Sequence, residues 1–269
     1  MTEVKLIDTH AHLDFPELCP RITDVLSDAK KNKVTDVVTI STHLDKINTI
    51  IDLSKQYSEI FFTVGVHPNN AHKDSNYKNG NMMIDISKNN KCVGIGEGGL
   101  DYFYSMEFVD YQKESFITQI NVARDTKLPL IIHSRNADKD MIDILTSEFK
   151  NGSFKAILHC FSSGAELAKC GLDLNFFISF SGIVTFNSAK QIQEIAKDVP
   201  LDKILIETDS PYLSPSPYRG SINEPKNCFY TAKFISELKN IEFEEFAENT
   251  YRNSLNIYQK IRQWKTNEN

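Results

Sequence analysis

A chain of 269 residues that is 41% hydrophobic can bury a large core, and it exceeds a small domain without reaching a clear two-domain length. Its formal net charge of -6 argues against wrapping a long nucleic-acid duplex, although a few basic residues could still hold one or two phosphates. The five cysteines include no C-x-x-C pair, which argues against a disulfide framework or a thiolate zinc site and predicts a reducing, cytoplasmic compartment. No apolar run approaches about 18 residues, so we expect no contact with a membrane.

Eight short apolar runs follow one another along the chain. They occupy residues 5–9, 34–41, 60–66, 92–96, 128–132, 155–158, 176–181 and 203–206. They are rich in Val, Ile, Leu and Phe, as is typical of strands buried on both faces. Strands that alternate with helices predict a parallel sheet, and eight such strands predict the α/β fold of a (β/α)8, or TIM, barrel.

Most gaps between these runs have the periodicity of amphipathic helices. We predict a first helix around residues 22–29 and a long one over residues 107–127. The buried face of the long helix is expected to hold Phe108, Tyr111, Ile120 and Ala123. Residues 227–264 indicate two further helices, and the polar tail 265–269 is expected to fray. No repeat or long linker divides the chain, so we predict one domain over residues 1–269.

Residues that commonly bind metal ions stand at the carboxyl ends of the predicted strands, where the active site of such a barrel lies. His10 and His12 share one strand face because side chains alternate, although this pair alone is weak evidence, and two satisfied core or loop histidines are the commoner case. A carboxylate such as Glu97 after a buried run is costly unless it is paired or bound to a cation. We therefore predict a metal centre. Its expected ligands are His10, His12, Glu97, His133, His159 and Asp209.

Six motifs in chain order make the pattern more specific. They are D-T-H-A-H-L-D at 8–14, G-V-H-P at 65–68, G-E-G-G-L-D-Y at 96–102, H-S-R-N-A at 133–137, H-C-F-S-S-G at 159–164 and E-T-D-S-P-Y-L at 207–213. Over nearly the whole chain, these strings closely resemble the TatD family of metal-dependent deoxyribonucleases. The resemblance implies a TIM barrel, a pair of divalent metal ions and hydrolysis of DNA phosphodiester bonds.

The resemblance also implies a role for each ligand. His10, His12, Glu97 and Asp209 would bind one ion, and Glu97, His133 and His159 would bind the second, with Glu97 bridging the two. A carboxylate can span two cations about 3.5–4 Å apart. Imidazole and carboxylate ligands suit Mn²⁺ or Zn²⁺, whereas Mg²⁺ prefers oxygen, and the sequence does not choose among the three.

Two of these ligands are also candidate catalytic residues. Glu97 would hold both ions, and Asp209 would orient the attacking water or take its proton. No nucleophilic serine or cysteine is needed for such a reaction.

Four residues are candidate substrate contacts. His67 is expected to face the substrate rather than bind metal, and Arg219 could contact a phosphate. Arg135 shares the strand face of His133 and could hold a phosphate bidentately, the alternative being an ion pair with an acidic residue such as Asp101. Tyr102, with the neighbouring Phe103 and Tyr104, could stack a base, the alternative being core packing of Phe103.

The remaining polar residues near the motifs are assigned supporting roles. Glu207 is expected to fix the tautomer of a histidine, and Asp101 to order its loop. Cys160 would point away from His159 as a packed thiol. His43 and His72 are expected in loops or at the surface.

Two positions depart from the family pattern. Gly98 stands where the family usually carries a larger residue, which predicts a looser backbone beside Glu97. Ile222 stands where a basic residue is common, which removes one expected phosphate contact.

The expected function is that of a cytoplasmic two-metal nuclease that trims single-stranded or frayed DNA ends, with no obligate protein partner. The 3′ to 5′ polarity is implied by the resemblance alone. A second hypothesis is a hydrolase of small amides, lactones or phosphoesters, as in the related amidohydrolase barrels, which often bridge their metals with a modified lysine where Glu97 stands. A third is a catalytically silent binding protein, but this chain has lost none of the expected ligands.

Overall fold

The computed structural model describes residues 4–104 and 106–267. Eight parallel strands form one sheet, in which each strand pairs with the next along the chain. They are β1 (Leu6–Ala11), β2 (Val34–Thr39), β3 (Ile60–Val64), β4 (Cys92–Asp101), β5 (Leu130–Arg135), β6 (Ala156–Leu158), β7 (Phe177–Phe180) and β8 (Ile204–Ile206). The predicted (β/α)8 barrel is confirmed, and every strand overlaps one of the predicted apolar runs.

The sheet curls until its first strand meets the segment after its last. The backbone N–H of Asp209 donates to the carbonyl oxygen of His10 over 2.9 Å, and the N–H of His12 donates to the carbonyl oxygen of Ser210 over 2.8 Å. A parallel bridge between Ala11 and Ser210 joins the same segments. Closure therefore brings residues from both ends of the chain side by side at the carboxyl end of the barrel, which we call the mouth.

Ten α-helices accompany the strands within the described residues. They are α1 (Ile22–Lys31), α2 (Ile47–Gln56), α3 (Gly80–Ser87), α4 (Val109–Thr126), α5 (Asp138–Asn151), α6 (Ala165–Asp173), α7 (Lys190–Asp198), α8 (Cys228–Lys239), α9 (Phe243–Ile257) and α10 (Gln259–Asn267). As its periodicity predicts, α1 buries Ile22, Val25, Leu26 and Ala29. The main core is the layer of such side chains between the helices and the strands.

A second cluster of side chains fills the interior of the barrel. Because strand residues alternate between faces, Ile7, Phe61 and Leu205 form a cluster separate from the layer under the helices. Tyr258 and Ile261 join this cluster from the C-terminal part of the chain. The interior is therefore a packed core, and open space for chemistry is left at the mouth.

The C-terminal segment differs from its prediction. Residues 227–264 contain parts of three helices rather than two, because the chain breaks between α9 and α10 at Tyr258. This side chain is buried, and its hydroxyl donates to the carbonyl oxygen of Thr9 over 3.2 Å. The last helix continues to Asn267, into the stretch that we predicted to fray, and residues 268–269 lie outside the described residues.

The predicted buried face of α4 is partly wrong. Ile120 and Ala123 are buried, but Tyr111 is 45% exposed, and Phe108 precedes the helix. Polar residues take some of the inward positions instead. Gln112, for example, can be buried because its side-chain amide is satisfied. The amide oxygen accepts the N–H of Asp101, and the amide nitrogen donates to the carbonyl oxygen of Asp101.

Strand β4 extends five residues beyond the predicted end of its apolar run at residue 96. In this extension Gly99 pairs with His133, and Asp101 pairs with Arg135, on β5. Gly99 has a φ of 146°, and a Cβ atom there would collide with the carbonyl oxygen of His133. The glycine therefore permits the close approach that keeps Glu97 within a strand rather than on a loop.

Replacing Gly99 by alanine should destabilise the barrel more than the same change at Gly220. Both residues have positive φ, which costs alanine about 1–3 kcal/mol, but the space around Gly220 is open. Urea unfolding followed by circular dichroism should give a loss of stability about 2 kcal/mol larger for Gly99→Ala, because its methyl group must also displace β5. Equal losses would contradict the required close approach of β4 to β5.

Candidate metal centre

The first group of candidate ligands joins the two ends of the chain. His10 and His12 lie at the end of β1, and Asp209 follows β8. Asp209 Oδ1 lies 3.6 Å from His10 Nε2 and 3.4 Å from His12 Nε2. His10 Nε2 also lies 3.5 Å from Glu97 Oε2. Four of the predicted ligands are therefore gathered at one position.

The second group surrounds the other oxygen of Glu97. Glu97 Oε1 lies 2.8 Å from His133 Nδ1 and 2.6 Å from His159 Nε2, and these two ring nitrogens are 3.2 Å apart. The carboxylate is buried between the two groups, with one oxygen directed to each. All six predicted ligands thus meet, and Glu97 has the position of a bridge.

The donor atoms fit a metal ion. In the first group His10 Nε2 lies 3.5 Å from Glu97 Oε2, and Asp209 Oδ1 lies 3.4–3.6 Å from the two histidine nitrogens. Two ligands with metal bonds of about 2.0–2.1 Å at tetrahedral angles would lie about 3.4 Å apart. Both ring nitrogens of His10 and Oε2 of Glu97 are buried without a hydrogen-bond partner. Buried polar atoms are costly when they are unsatisfied, so a cation at this position would supply the missing partner of His10 Nε2 and Glu97 Oε2.

A buried carboxylate orders the first group from below. Asp8 accepts hydrogen bonds from the Thr208 N–H at 2.9 Å and the Thr208 hydroxyl at 2.6 Å, and a longer one from the His10 N–H. Burial raises the pKa of Asp8 to about 8, although these hydrogen bonds oppose the shift. Asp8 thereby ties β1 to the segment that carries Asp209.

Two further carboxylates contact the histidines of the second group on the side away from Glu97. Glu207 Oε1 lies 3.3 Å from His159 Nδ1, and Asp101 Oδ2 lies 3.2 Å from His133 Nε2. Each can accept the ring N–H that leaves the opposite nitrogen free for a cation. Glu207 has the position predicted for it, and Asp101 combines this contact with the predicted ordering of its loop through the Phe103 N–H.

The neighbouring carboxylates change the proton affinity of these histidines. Burial lowers the pKa of His159, but Glu97 and Glu207 outweigh burial and raise it well above its ordinary value. The pKa of His133 is raised in the same way, with Asp101 and Glu97 outweighing burial. Protons therefore compete with a cation for these ring nitrogens.

His67 turns a protonated ring nitrogen, rather than a free one, toward Glu97. Its Nδ1 accepts the backbone N–H of Asn69 at 3.1 Å, which places the proton of the neutral ring on Nε2. Nε2 lies 3.6 Å from Glu97 Oε1, and burial lowers the pKa of His67 to about 3. His67 therefore presents an N–H donor to the centre rather than a ligand lone pair, in keeping with the predicted contact to substrate.

Arg135 ends β5 at the mouth. Its guanidinium lies 3.7 Å above the ring of Phe103, and Nη1 donates to the Tyr104 hydroxyl at 3.3 Å. Among the described residues no carboxylate lies within ion-pair distance of Arg135, so the alternative of an ion pair with Asp101 is wrong. The guanidinium remains available to an anion.

Two sequence interpretations of the loop after β4 need correction. Tyr102 packs against the hydrophobic core, and its hydroxyl donates to Asp140 at 2.8 Å, so this ring is not available for stacking. Phe103 is 53% exposed rather than packed in the core. The exposed rings of this loop are therefore Phe103 and Tyr104, whereas the sequence favoured Tyr102.

Arg219 and Ile222 lie in the loop after β8. The Arg219 guanidinium lies 3.5 Å above the ring of Phe186, and again no carboxylate of the described chain lies within ion-pair distance. Ile222 is 51% exposed and offers no charge where a basic residue was expected. Arg219 therefore supplies a cation in this loop.

The looser backbone predicted at Gly98 is wrong. A Cβ atom there would lie 2.7–2.8 Å from the side-chain amide of Gln119, which fills the space. Gln119 donates to the Val66 carbonyl oxygen at 2.9 Å and accepts the Val66 N–H at 3.3 Å. This buried glutamine supports the backbone beside Glu97 and His67. Sequence reasoning missed it because a glutamine on a helix is typically exposed.

The other supporting residues lie close to their predicted positions. Cys160 has a φ of 43°, and its Sγ lies 3.1 Å from the Ser181 hydroxyl oxygen, so it is a packed thiol. Burial raises the pKa of this thiol well above its ordinary value. His72 stacks on Phe108, and His43 lies in a loop near Asp74.

Comparisons with known proteins agree with this geometry. A family model described as TatD related DNase matches residues 7–259. YabD of Bacillus subtilis, an uncharacterized metal-dependent hydrolase, is 38% identical, and the alignment covers 94% of this chain and 98% of YabD. YcfH of Escherichia coli, described in the same words, is also 38% identical, with 94% and 95% covered. The crystal structure of the TatD homologue YjjV of Escherichia coli superposes with a TM-score of 0.88 over 94% of this chain and 98% of YjjV, at 24% identity.

Within the described ranges, no helix combines the length and the apolar character that a membrane span requires.

Substitution of Glu97 should remove the second ion and nearly all turnover. Without the shared carboxylate, two neighbouring cations would repel each other, so we expect the wild type to bind two equivalents of Mn²⁺ and Glu97→Ala to bind at most one. Turnover should fall by at least about a thousandfold, or about 4 kcal/mol. Metal content is measured by mass spectrometry after desalting, and Glu194→Ala on the exposed face of α7 is the control. Turnover within about tenfold of wild type would contradict the bridge.

Acidification should weaken metal binding with more than one proton in the slope. Because the pKa values of His133 and His159 are raised, these rings hold protons to higher pH than ordinary histidine, and each must lose its proton to bind metal. Activity should fall steeply between about pH 8 and about pH 5.5, and excess metal should partly restore it. Calorimetric titration in two buffers of different ionisation enthalpy measures the protons released. A profile that is flat to about pH 5, with circular dichroism unchanged, would contradict histidine ligation.

Proposed function

This chain belongs to the family of TatD related DNases and is a metal-dependent hydrolase, and we propose that the bond it hydrolyses is the phosphodiester of DNA. The family match confirms the resemblance that the motifs indicate. The observation that carries the proposal is the position of Glu97, whose two oxygens face separate groups of histidines. Such an arrangement suits two cations that clamp the attacking and leaving oxygens of an in-line displacement at phosphorus.

The distances within the two groups indicate which side chains would hold each ion. His10, His12, Asp209 and Glu97 Oε2 would hold one cation, and His133, His159 and Glu97 Oε1 the other. When bound, divalent cations at these positions supply Lewis acidity to the phosphate and lower the pKa of a water molecule. Mg²⁺, Mn²⁺ and Zn²⁺ all remain candidates.

The remaining groups orient water and phosphate. Asp209 is 15% exposed, against 2% for Glu97, so it faces the open side of the centre. Burial would raise the pKa of Asp209, but His12 and His10 outweigh burial and lower it, which keeps the carboxylate ionised. Asp209 can then accept a hydrogen bond from the attacking water and orient it. The Nε2–H of His67 can donate to a phosphate oxygen.

The charge distribution favours the end of a DNA strand as substrate. The chain has 36 acidic and 30 basic residues, so it lacks the overall positive charge that tracking along a duplex requires. The metal-binding side chains are mostly buried within the mouth, so a phosphodiester bond must enter the barrel to reach them. Arg135 and Arg219 could hold its neighbouring phosphates at the entrance. Single-stranded or frayed ends can enter in this way, and attack from the 3′ end follows from the family resemblance.

The cellular setting proposed is the cytoplasm. The five cysteines are all free, which suits a reducing compartment. DNA ends are the partners proposed for the protein.

Labelled oligonucleotides test the proposed reaction. Metal-stripped protein is incubated with 5′-labelled and 3′-labelled single-stranded and blunt duplex DNA, with a matched RNA, and with Mg²⁺, Mn²⁺ or Zn²⁺ added back in turn. We expect 5′-labelled single strands to give a ladder that shortens one nucleotide at a time, faster than blunt duplex. Glu97→Ala is the inactive control. No cleavage under any ion, together with turnover of an amide, lactone or phosphoester dye, would reject the nuclease in favour of a small-molecule hydrolase.

A further inference from the structure

The loops that follow β4 and β8 carry most of the exposed hydrophobic side chains of the described chain. The described residues include eight large hydrophobic side chains that are exposed, and six of the eight lie in these two loops. They are Phe103, Tyr104, Met106, Tyr212, Tyr218 and Ile222. Both loops are at the mouth, beside the metal centre. Apolar side chains concentrated round one opening are typical of a binding surface.

Tyr212 is joined to the metal centre by a series of aromatic rings. The ring of His12 stacks on Phe15 with centroids 4.8 Å apart, and Phe15 contacts Tyr212 edge to face at 6.1 Å. The backbone N–H of Tyr212 donates to the carbonyl oxygen of Asp209 at 3.0 Å, in a tight turn. Tyr212 is nevertheless 52% exposed. Its ring therefore stands at a fixed place beside the ligands, with one side open to solvent.

Tyr104 is held on the other loop by Arg135. The guanidinium lies over the ring of Phe103 at 3.7 Å and donates to the Tyr104 hydroxyl, while Phe103 and Tyr104 contact each other edge to face at 5.0 Å. Tyr104 is 69% exposed despite these contacts. A ring that is oriented by its neighbours but not covered by them can accept another planar group on its face.

The two tyrosines stand at the same end of the barrel. Tyr104 is bonded to Arg135, which ends β5 two residues after His133, and Tyr212 is bonded through its backbone to Asp209. The loops after β4 and β8 thus present one tyrosine each to the opening above the metal centre.

We infer that Tyr104 and Tyr212 form a clamp that holds an unpaired base of a single-stranded nucleic-acid end. Every base has a planar face that stacks on tyrosine, whereas a base inside a duplex is already covered by its neighbours. Arg135, which has no ion-pair partner among the described residues, lies beside the clamp and can hold the adjacent phosphate. The inference rests on the proposed function for its substrate, and it makes these tyrosines the residues that select single strands.

Binding to matched DNA ends tests the clamp without requiring cleavage. Two 5′-fluorescent single-stranded oligonucleotides carry phosphorothioate linkages at the 3′ end, and one of them has abasic residues at its last two positions. In the presence of Mn²⁺, fluorescence anisotropy should give the wild type a Kd about tenfold lower for the end that carries bases. Tyr104→Ala and Tyr212→Ala should each lose most of this difference. Tyr104→Phe and Tyr212→Phe should retain it, because they keep the ring.

Tyr111→Ala is the matched control, since Tyr111 is an exposed tyrosine on α4 outside both loops. It should bind both oligonucleotides as the wild type does. Equal Kd values of the wild type for the two ends would overturn the clamp, and so would alanine variants that keep the tenfold difference. A change of sedimentation coefficient in those variants, with base preference unchanged, would assign the tyrosines to self-association instead. Base-dependent binding of these oligonucleotides, together with no cleavage of the unmodified strand under any of the three ions, would retain the clamp while rejecting the proposed hydrolysis of DNA.

Discussion

The carboxylate of Glu97 lies buried at the mouth of the barrel, with histidines on both sides of it. A buried anion is expensive unless positive charge or hydrogen-bond donors reach each of its oxygens. Burial would raise the pKa of Glu97, but His159, His67 and His10 outweigh burial and hold the pKa well below its ordinary range. The ionised form is therefore the native one. Several strand ends around the site each place a histidine next to this carboxylate.

The backbone makes this concentration of polar groups possible in two ways. The glycines around Glu97 let β4 continue against β5, so the carboxylate is supported by a strand and is held close to His133. The closure of β1 on the segment after β8 then brings His10 and Asp209 together from opposite ends of the chain. The first group would not exist in an open sheet, whereas the second is built from the neighbouring strands β4, β5 and β6. The metal centre is therefore a consequence of barrel closure as much as of the ligand residues.

A layer of polar residues behind the ligands orients the ligands and does not itself face the substrate. Asp101 and Glu207 orient the two histidines of the second group, and Asp8 ties together the strands that carry the first. Gln119 supports the backbone next to the site from α4. These groups contact the ligands and the backbone behind them, so they leave the side chains that face the opening available to substrate. The aromatic and arginine side chains of the loops can then vary substrate selection without disturbing the ligands.

The sequence by itself determined the eight strands and the six candidate ligands, because both follow from local rules. Apolar runs alternate with helical periodicity, and metal-binding side chains stand at the strand ends, where a barrel gathers them. Only the tertiary structure decided that Tyr102 is packed while Tyr104 is exposed, and that Arg135 lies on Phe103 rather than on Asp101. It also decided that a glutamine from α4 fills the space beside Gly98. These outcomes depend on neighbours from other segments of the chain, and no periodicity within one segment encodes them.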